Sequence, residues 1–482
     1  MPERPISQLM AYWAERAPDK LAITHDHQSI TRAEFDARTN RLARAYAEMG
    51  VQPDDFVTIG LPNSIVFFEA AFAVWKLGAT PQPVSARLPA GERDAIIEIA
   101  NPSLLVGFAA NEGGSTPTVP VGFEPDANLS DSALPERTAR YLKAMTSGGS
   151  TGRPKLIVSE QPAVFDPDDP FFNFPMDSAV LVPGPLYHNG PFLFAIGGLF
   201  KGNHVAVTTR FDPLDTLRMI EAVQADTVYM VPTMMQRIWK LPEADRLRFD
   251  LSSLRMLWHL AAPCPVWLKE AFIGWLGPER IFELYAGTEA QGVTVITGDE
   301  WLEHRGSVGK PTPGCRMKIV GADGAELGPG EIGEVYLLPD TGQGSTYHYV
   351  GAEPQAIEGG WESLGDMGYR DAEGYLYLTD RMTDMILSGG ANIYPAEVEA
   401  AIDAFPGVRS SAVIGLPHED MGNTIHAIID APGVEISEAA LLDHLARQLL
   451  RYKIPRSFEY VSKPLRDDAG KMRRTALREE RI

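Results

Sequence analysis

The chain has 482 residues, 44% of them hydrophobic, and a formal net charge of -21. That length exceeds one ordinary hydrophobic core, so two or more domains are expected. So acidic a chain excludes a nucleic-acid partner, which needs a basic face to neutralise phosphates.

No apolar run approaches the roughly 18 residues of a membrane span. Met1 to Pro5 lacks a basic region followed by an apolar stretch, so no secretory signal is expected and the cytoplasm is the default. Cys264 and Cys315 stand in no metal or redox spacing and read as inert thiols.

Phe56 to Leu61 reads as a strand. Asn63 or Ser64 can cap a helix through Ile65, Phe68, Phe72 and Trp75 that stops at Gly78. Glu69 interrupts its apolar run, so it reads as a buried helix. Thr146-Ser147-Gly148-Gly149-Ser150-Thr151-Gly152-Arg153-Pro154-Lys155 has the composition of a phosphate cradle: glycines turn backbone N–H groups inward, Ser150 and Thr151 add hydroxyl donors, and Lys155 adds charge. A Walker loop would end in Gly-Lys-Ser/Thr running into a helix, which this does not. A flexible linker is the alternative.

Gln161 to Pro175 and Asp340 to Gly360 read as surface loops. The short apolar runs Ala179 to Val182, His204 to Thr208 and Thr227 to Val231 alternate with helical segments, which favours stacked parallel sheets with covering helices, an α/β fold. Ile281 to Leu284 is a strand leading into the turn Tyr285-Ala286-Gly287-Thr288-Glu289, and ligands collect at such carboxyl ends. A helix N-cap is the other reading of Thr288-Glu289. A boundary is expected near Thr379 to Asp384. Beyond it, a helix opening at Pro395, strands at 411–414 and 424–429, a helix at 438–450 and a strand at 458–461 make a small α+β unit.

Five motifs in order, namely the Gly-rich loop, Tyr285 to Glu289, Trp361-Glu362-Ser363-Leu364-Gly365-Asp366, Thr379-Asp380-Arg381 and Ser388 to Glu399, resemble the adenylate-forming superfamily of acyl-CoA synthetases, peptide-synthetase adenylation domains and luciferases. The resemblance covers essentially the whole chain. It implies a large N-terminal domain, 1–379, of stacked sheets with covering helices, and a small mobile lid, 380–482, hinged near 380–384. It also implies activation of a carboxylic acid by ATP and Mg²⁺ to acyl-AMP, then thioester formation with coenzyme A. The alternatives are adenylation alone, with the acyl group handed to a carrier protein or partner enzyme, a luciferase-type oxygenase, or a non-catalytic nucleotide-binding protein.

The resemblance also assigns roles. Ser147 to Gly152 and Lys155 would hold the β- and γ-phosphates, with Ser147-Gly148 where many relatives have Thr-Ser. Glu289 would bind Mg²⁺, Thr288 would donate to the α-phosphate, and Tyr285, with Ala286 and Gly287 beside it, would stack on adenine. Ala261-Ala262-Pro263 would flank the purine, with Leu260 in place of a common glycine. Asp366 would accept from the ribose hydroxyls, reinforced by Arg381; a surface salt bridge is the alternative. Lys471, after Asp468-Ala469-Gly470, would be the lid lysine in adenylation, or else a solvated tail residue beside Arg473 and Arg474. Gly389 and Gly390 would pass the pantetheine arm of CoA, and Thr383 stands where many relatives place Asp or Lys at the hinge. Pro185 to Phe192 resembles the acyl-pocket motif, so Tyr187, His188, Phe192 and Met234 are candidates for the acyl pocket, with plain core as the alternative for the apolar members and a structural histidine for His188. Residues 183 to 198 contain no acid to pair with an ammonium, which disfavours amino acids. The motif wording looks most like bacterial ligases for bulky steroid, bile-acid or terpenoid acids, with fatty and aryl acids open.

Overall fold

A computed structural model of the chain describes residues 3–147, 154–381, 384–388, 391–467 and 470–482, with Ser147 and Asn392 by backbone alone. Its largest sheet runs Lys310–Pro311, Val293–Thr297, Ile281–Ala286, Met256–Leu260, Thr227–Met230, Ala179–Val182, His204–Val207, Leu21–His25 and Gln28–Thr31. From Leu21–His25 to Ile281–Ala286 the neighbours are parallel; only the outer strands are antiparallel. Helices connect the parallel strands, so Met230, Leu260 and Ala286 all end at one edge of the sheet, where a ligand can sit outside the strand ends.

A second, all-parallel sheet of Thr80–Pro83, Phe56–Ile59, Leu104–Val106 and Thr118–Val119 lies in the same domain. The helix Ile65–Lys76 belongs to the main core, because Phe67, Phe68, Phe72 and Trp75 are each 0% exposed. Ser64 is its cap, its hydroxyl accepting from the Phe67 N–H. Asn63 does something else: its amide donates to the carbonyls of Gly184 and Thr208 and accepts from the Leu186 N–H. It thereby ties the loop that enters the helix Asn189–Phe200.

Two stretches read as surface loops carry structure. Tyr347–Val350, inside the 340–360 stretch, pairs antiparallel with Lys155–Ser159, since the aromatic side chains of Tyr-His-Tyr-Val suit a pleated surface and Tyr347 is buried. The 161–175 stretch contributes the short strand Val164–Phe165 and the 3-10 turn Phe171–Asn173, whose Phe172 and Asn173 have φ of 45° and 55°. Burial of Phe174 and close packing of Phe171 against Gly197 offset that backbone strain.

The alternation of elements did not foretell the antiparallel sheet of Cys315–Val320, Gly333–Pro339, Trp361–Arg370, Gln355–Ile357 and Leu376–Arg381. Its register sets Asp366 directly opposite Arg381.

The C-terminal strands Ile386–Ser388, Ala391–Ile393, Ser410–His418, Gly422–Asp430 and Ser457–Val461 form one more sheet. Helices Pro395–Asp403 and Glu438–Gln448 pack on it over a separate apolar cluster that includes Val398, Ile402, Val413, Ile429 and Leu441. The second helix stops two residues short of Leu450, which is 61% exposed and has nothing to bury against. No described helix is long and apolar enough to cross a membrane.

Asp403 ends the first of these helices in a buried site. It accepts from the Ser411 hydroxyl at 2.7 Å, and burial pushes its carboxyl up to about 7 against the pull of Arg466. The folded chain therefore keeps a proton that the unfolded chain releases near pH 4. That contribution is complete below the unfolded value and disappears as pH rises through about 7. Asp403→Asn should flatten the fall in unfolding midpoint between pH 5 and pH 8. The wild-type fall is bounded by about 4 kcal/mol from this group, and calorimetry at the two pH values reads it. An equally steep fall in the variant would assign it to other groups.

Candidate active site

The Gly-rich segment lies between two paired strands. Ala144–Ser147 and Lys155–Ser159 run antiparallel with Ser147 opposite Lys155, so a strand follows the segment where a Walker loop would be followed by a helix. Gly148, Gly149, Ser150, Thr151 and Gly152 lie outside the described residues, as does the Ser147 side chain. Lys155 is placed. Its Nζ stands 3.5 Å from the centre of the Tyr349 ring and 3.9 Å from Glu289 Oε1. Burial lowers its ammonium, with Glu289 pulling the other way.

Glu289 is 6% exposed and sits in a turn with no helix, so the N-cap reading of Thr288-Glu289 does not apply. Its Oε1 accepts from the Tyr349 hydroxyl at 2.6 Å, and its carbonyl accepts from the Thr346 hydroxyl. The turn is possible because residue 287 is glycine: a Cβ there would stand 2.5 Å from a Leu364 methyl and 2.8 Å from Glu289 Oε2. Lys143, one residue before the hairpin strand, is a further cation. Burial pushes its ammonium down to about 8, with Glu289 pulling it back up.

Asp366 is 9% exposed, and both its oxygens are engaged. Tyr285 Oη donates to Oδ2 at 2.7 Å and Arg381 Nε donates to Oδ1 at 3.2 Å. Burial raises its carboxyl while Arg381 opposes the rise. Each carboxylate oxygen keeps a second lone pair, so room remains for a donor from outside. Tyr285 lies in the last turn of the strand Ile281–Ala286, with its phenol orientation fixed by Asp366. The strand runs two residues further than Leu284, bringing Tyr285 and Ala286 into the ladder opposite Thr294 and Val293. Leu260, in the place of a glycine, ends its strand normally. The left-handed conformation falls on Ala261, at φ 73°, immediately before Ala262 and Pro263.

His188 precedes the helix Asn189–Phe200, with its ring 4.4 Å from that of Tyr187. Its Nε2 and the Asn189 Oδ1 are buried without partners among the described residues. Burial and then the charge of Lys471 push the imidazole down to about 3, so it is neutral across the physiological range. Phe192 faces away into the core, edge-on to Phe67 and 6.1 Å from Trp75. Met234, 2% exposed, also belongs to the core cluster. Phe194, two positions on, is the side chain that meets Tyr229 and Trp258 of the sheet.

Lys471 comes to the same edge of the sheet. Gly470, at φ 76°, packs so close that a Cβ would stand 2.8 Å from the Thr233 hydroxyl, just past the strand Thr227–Met230. The hairpin is fixed from behind: the Lys471 N–H donates to Asp467, Arg466 pairs with Glu399 at 3.1 Å, and Arg474 pairs with Glu399 at 2.8 Å and Asp384 at 2.6 Å. Lys471 keeps solvent exposure, yet the protein around it displaces enough water to lower its ammonium; Asp467 and Glu289 pull it up, and Arg381 adds to the lowering. Lys155, Glu289, Asp366, Arg381, His188 and Lys471 thus share one electrostatic neighbourhood. Gly389, Gly390 and Thr383 lie outside the described residues.

Sequence reasoning missed Tyr349, Lys143 and the ion network around Glu399, and it offered Asn63 only as a helix cap. A tyrosine inside a presumed loop carries no spacing signal, and neither does a lysine before a strand. Glu399 was visible as part of Tyr394-Pro395-Ala396-Glu397-Val398-Glu399, but only as a helix residue.

The comparisons place the fold in a known family. The family model for AMP-binding enzymes matches residues 10–341, and the model for the C-terminal domain of AMP-binding enzymes matches residues 397–471. A feruloyl-CoA synthase of Amycolatopsis sp is 31% identical, with 96% of each chain covered. A methyl-dioxo-octahydroindenyl-propanoyl:CoA ligase of Rhodococcus jostii is 30% identical, with 95% of each covered. Among solved structures, o-succinylbenzoate coenzyme A synthetase from Bacillus subtilis in complex with ATP and magnesium ion superposes with a TM-score of 0.82 at 26% identity, over 99% of this chain and 100% of that one. The chain belongs to the AMP-binding enzymes, the adenylate-forming family of AMP-forming acid–thiol ligases.

Proposed function

We propose that this ligase activates an apolar, ring-bearing carboxylic acid, not an amino acid, as its acyl-AMP and transfers the acyl group to coenzyme A in the cytoplasm. The observation that carries the reading is the convergence of Lys155, Glu289, Asp366 and Lys471 on the carboxyl end of the parallel sheet, beside His188. The acid's carboxylate attacks the α-phosphorus in line and pyrophosphate leaves. The protein's share is positioning and charge stabilisation.

Lys155 and the Gly-rich loop hold the β- and γ-phosphates. Asp366 accepts from the ribose hydroxyls, Tyr285 borders the adenine with Ala261 to Pro263, and Thr288 donates to the α-phosphate. Glu289 suits Mg²⁺, because it is a hard carboxylate at the phosphate end of the site and its Oε1 is held by the Tyr349 hydroxyl, while Lys155 stands 3.9 Å off, beyond a hydrogen bond. When bound, the ion draws charge from the phosphate oxygens. Lys471 lies between the carboxylate and the α-phosphate, and the neutral His188 borders the acyl group.

The division into 1–379 and 380–482 follows the same reading, with 380–482 as the lid. Asp380 receives the Ala396 N–H and Asp384 pairs with Arg474, so both ends of the proposed hinge are bonded to the small domain. After adenylation the lid turns, Lys471 withdraws, and Gly389-Gly390 faces the incoming thiol. The acyl side is supported by the missing acid in 183 to 198 and by the apolar walls of Phe194, Tyr229 and Trp258. A carboxylate panel scored for ATP-dependent pyrophosphate release, with and without CoA, tests the reading. AMP release that needs CoA separates a ligase from an enzyme that serves a carrier protein. Faster release with a free amino acid than with any ring acid would overturn the acid class.

Asp366→Ala removes the ribose acceptor and leaves Arg381 unpaired. The loss of a charged hydrogen bond should weaken ATP binding by about 1.5 to 3 kcal/mol. Titration calorimetry measures it, and an unchanged dissociation constant would take Asp366 out of the nucleotide site.

Lys471→Ala should slow acyl-AMP formation by about 10² to 10³, the usual cost of one preorganised donor at a developing charge. Thioester formation from supplied acyl-AMP should persist. Equal loss in both half-reactions would mean that Lys471 holds the fold or binds CoA.

A further inference from the structure

Gln291 is 1% exposed, and neither its Oε1 nor its Nε2 has a hydrogen-bond partner among the described residues. A primary amide offers two donors and an acceptor. Burying one with none of them used is destabilising. Such a residue persists where something outside the chain completes it.

Its position says what that something is. The strand Ile281–Ala286 turns into Val293–Thr297 through residues 287–292, and this loop carries Thr288, Glu289 and Gln291 together. Ala290 has φ 52°, so the backbone reverses between the proposed metal carboxylate and the amide. Other buried polar atoms on the neighbouring segments also lack partners. His188 Nε2 and Asn189 Oδ1 stand where the helix Asn189–Phe200 begins, and Trp258 Nε1 is on the adjoining strand Met256–Leu260. Nucleotide contacts in the proposed function fall to other residues, which leaves the acid as the occupant that meets these groups.

The shape of the acyl side limits that acid. Phe194 reaches from the helix to Tyr229 and Trp258, at 5.2 Å and 6.1 Å between ring centres. Phe172 then closes the gap, stacked on Phe194 at 5.0 Å and 5.6 Å from Trp258, while Phe171 packs on Gly197. A long flexible chain running down this helix would meet a wall of rings at mid-sheet. A plain alkyl chain would also leave the Gln291 amide unanswered.

We infer that the acid is a compact ring acid bearing a hydroxyl or keto oxygen away from its carboxylate, and that Gln291 reads this oxygen. The inference rests on the ligase reading above. It adds a polar demand to the apolar pocket: the amide donates to a keto oxygen, or accepts from and donates to a hydroxyl. A site built to hydrogen-bond a substrate oxygen rejects the analogue that lacks it.

The test uses the full-length enzyme and two matched pairs of acids, para-hydroxyphenylpropanoate against phenylpropanoate and a keto-cyclohexane carboxylate against the parent cyclohexane carboxylate, with palmitate as the long-chain control. AMP formation gives kcat/KM for each. The wild type should favour the oxygenated member of at least one pair by about 10-fold or more, the value of one net hydrogen bond. Gln291→Leu and Gln291→Met should erase that preference by slowing the oxygenated acid alone, with the ATP dissociation constant unchanged by calorimetry. Preference for palmitate, or for the parent acid in both pairs, overturns the inference and leaves the ligase intact. So does equal activity within both pairs, which would mean that an internal water satisfies the amide. A wild-type preference that survives both substitutions removes Gln291 as its reader. No AMP from any of these carboxylates while amino acids are activated would overturn the ligase reading and this inference with it.

Discussion

A carboxylate that must stay ionised when nearly out of water needs partners fixed in advance, and Asp366 is where this chain meets that demand. Burial alone would favour the protonated acid, and Arg381 opposes it from the adjacent strand. The ladder makes the pairing inescapable, because Asp366 and Arg381 are opposite each other in register. It also links two parts of the molecule. Successive side chains on a strand face opposite ways, so Arg381 turns to Asp366 while Asp380 turns to the helix Pro395–Asp403 and receives the Ala396 N–H. One strand end thus carries a residue of the site and a residue that seats the C-terminal domain.

The same demand recurs in the C-terminal domain. Glu399 is buried, and Arg466 and Arg474 hold its carboxyl below the ordinary range despite that burial. The two arginines flank Gly470 and Lys471 in sequence. A charge that acts on a transition state is effective when it needs no reorganisation at the moment of reaction; under the proposed function, the anchored Arg466 and Arg474 on either side of Lys471 meet that condition. The arrangement has a cost: removing one member of a buried ion cluster leaves the others uncompensated, which is far worse than never having built it. Glu399 thus ties together the two arginines that flank Gly470 and Lys471 in sequence.

Much of this was legible before the fold. The parallel strands and the helix beginning at Ile65 followed from apolar runs and a cap, and the order of short motifs pointed to the family and to Lys155, Glu289, Asp366, Arg381 and Lys471. What escaped was written in register and in packing. Nothing in Tyr347-His348-Tyr349-Val350 announces that it pairs with Lys155–Ser159, because the partner strand lies almost two hundred residues away. Phe192 and Phe194 look equivalent in a pocket motif, but a helical turn sends one to Phe67 and Trp75 and the other to Tyr229 and Trp258. An orphaned amide such as Gln291 is invisible until every neighbour has been placed.

Tyr349 shows why that unforeseen strand matters. A phosphate-binding cation and a metal-binding carboxylate must stand close together, yet if they collapse onto each other neither is available. Lys155 Nζ and Glu289 Oε1 are 3.9 Å apart, beyond a hydrogen bond, and Tyr349 serves both: its hydroxyl donates to the carboxylate at 2.6 Å while its ring face holds the ammonium at 3.5 Å. Cation–π attraction at a partly desolvated site is worth about 1 to 2 kcal/mol, enough to orient the lysine but weak beside a charged hydrogen bond to phosphate. Under the proposed function, an arriving polyphosphate therefore outcompetes the ring for Lys155 and has only a long ion pair with Glu289, not a charged hydrogen bond, to displace. The strand Tyr347–Val350 keeps opposite charges near each other and still unspent.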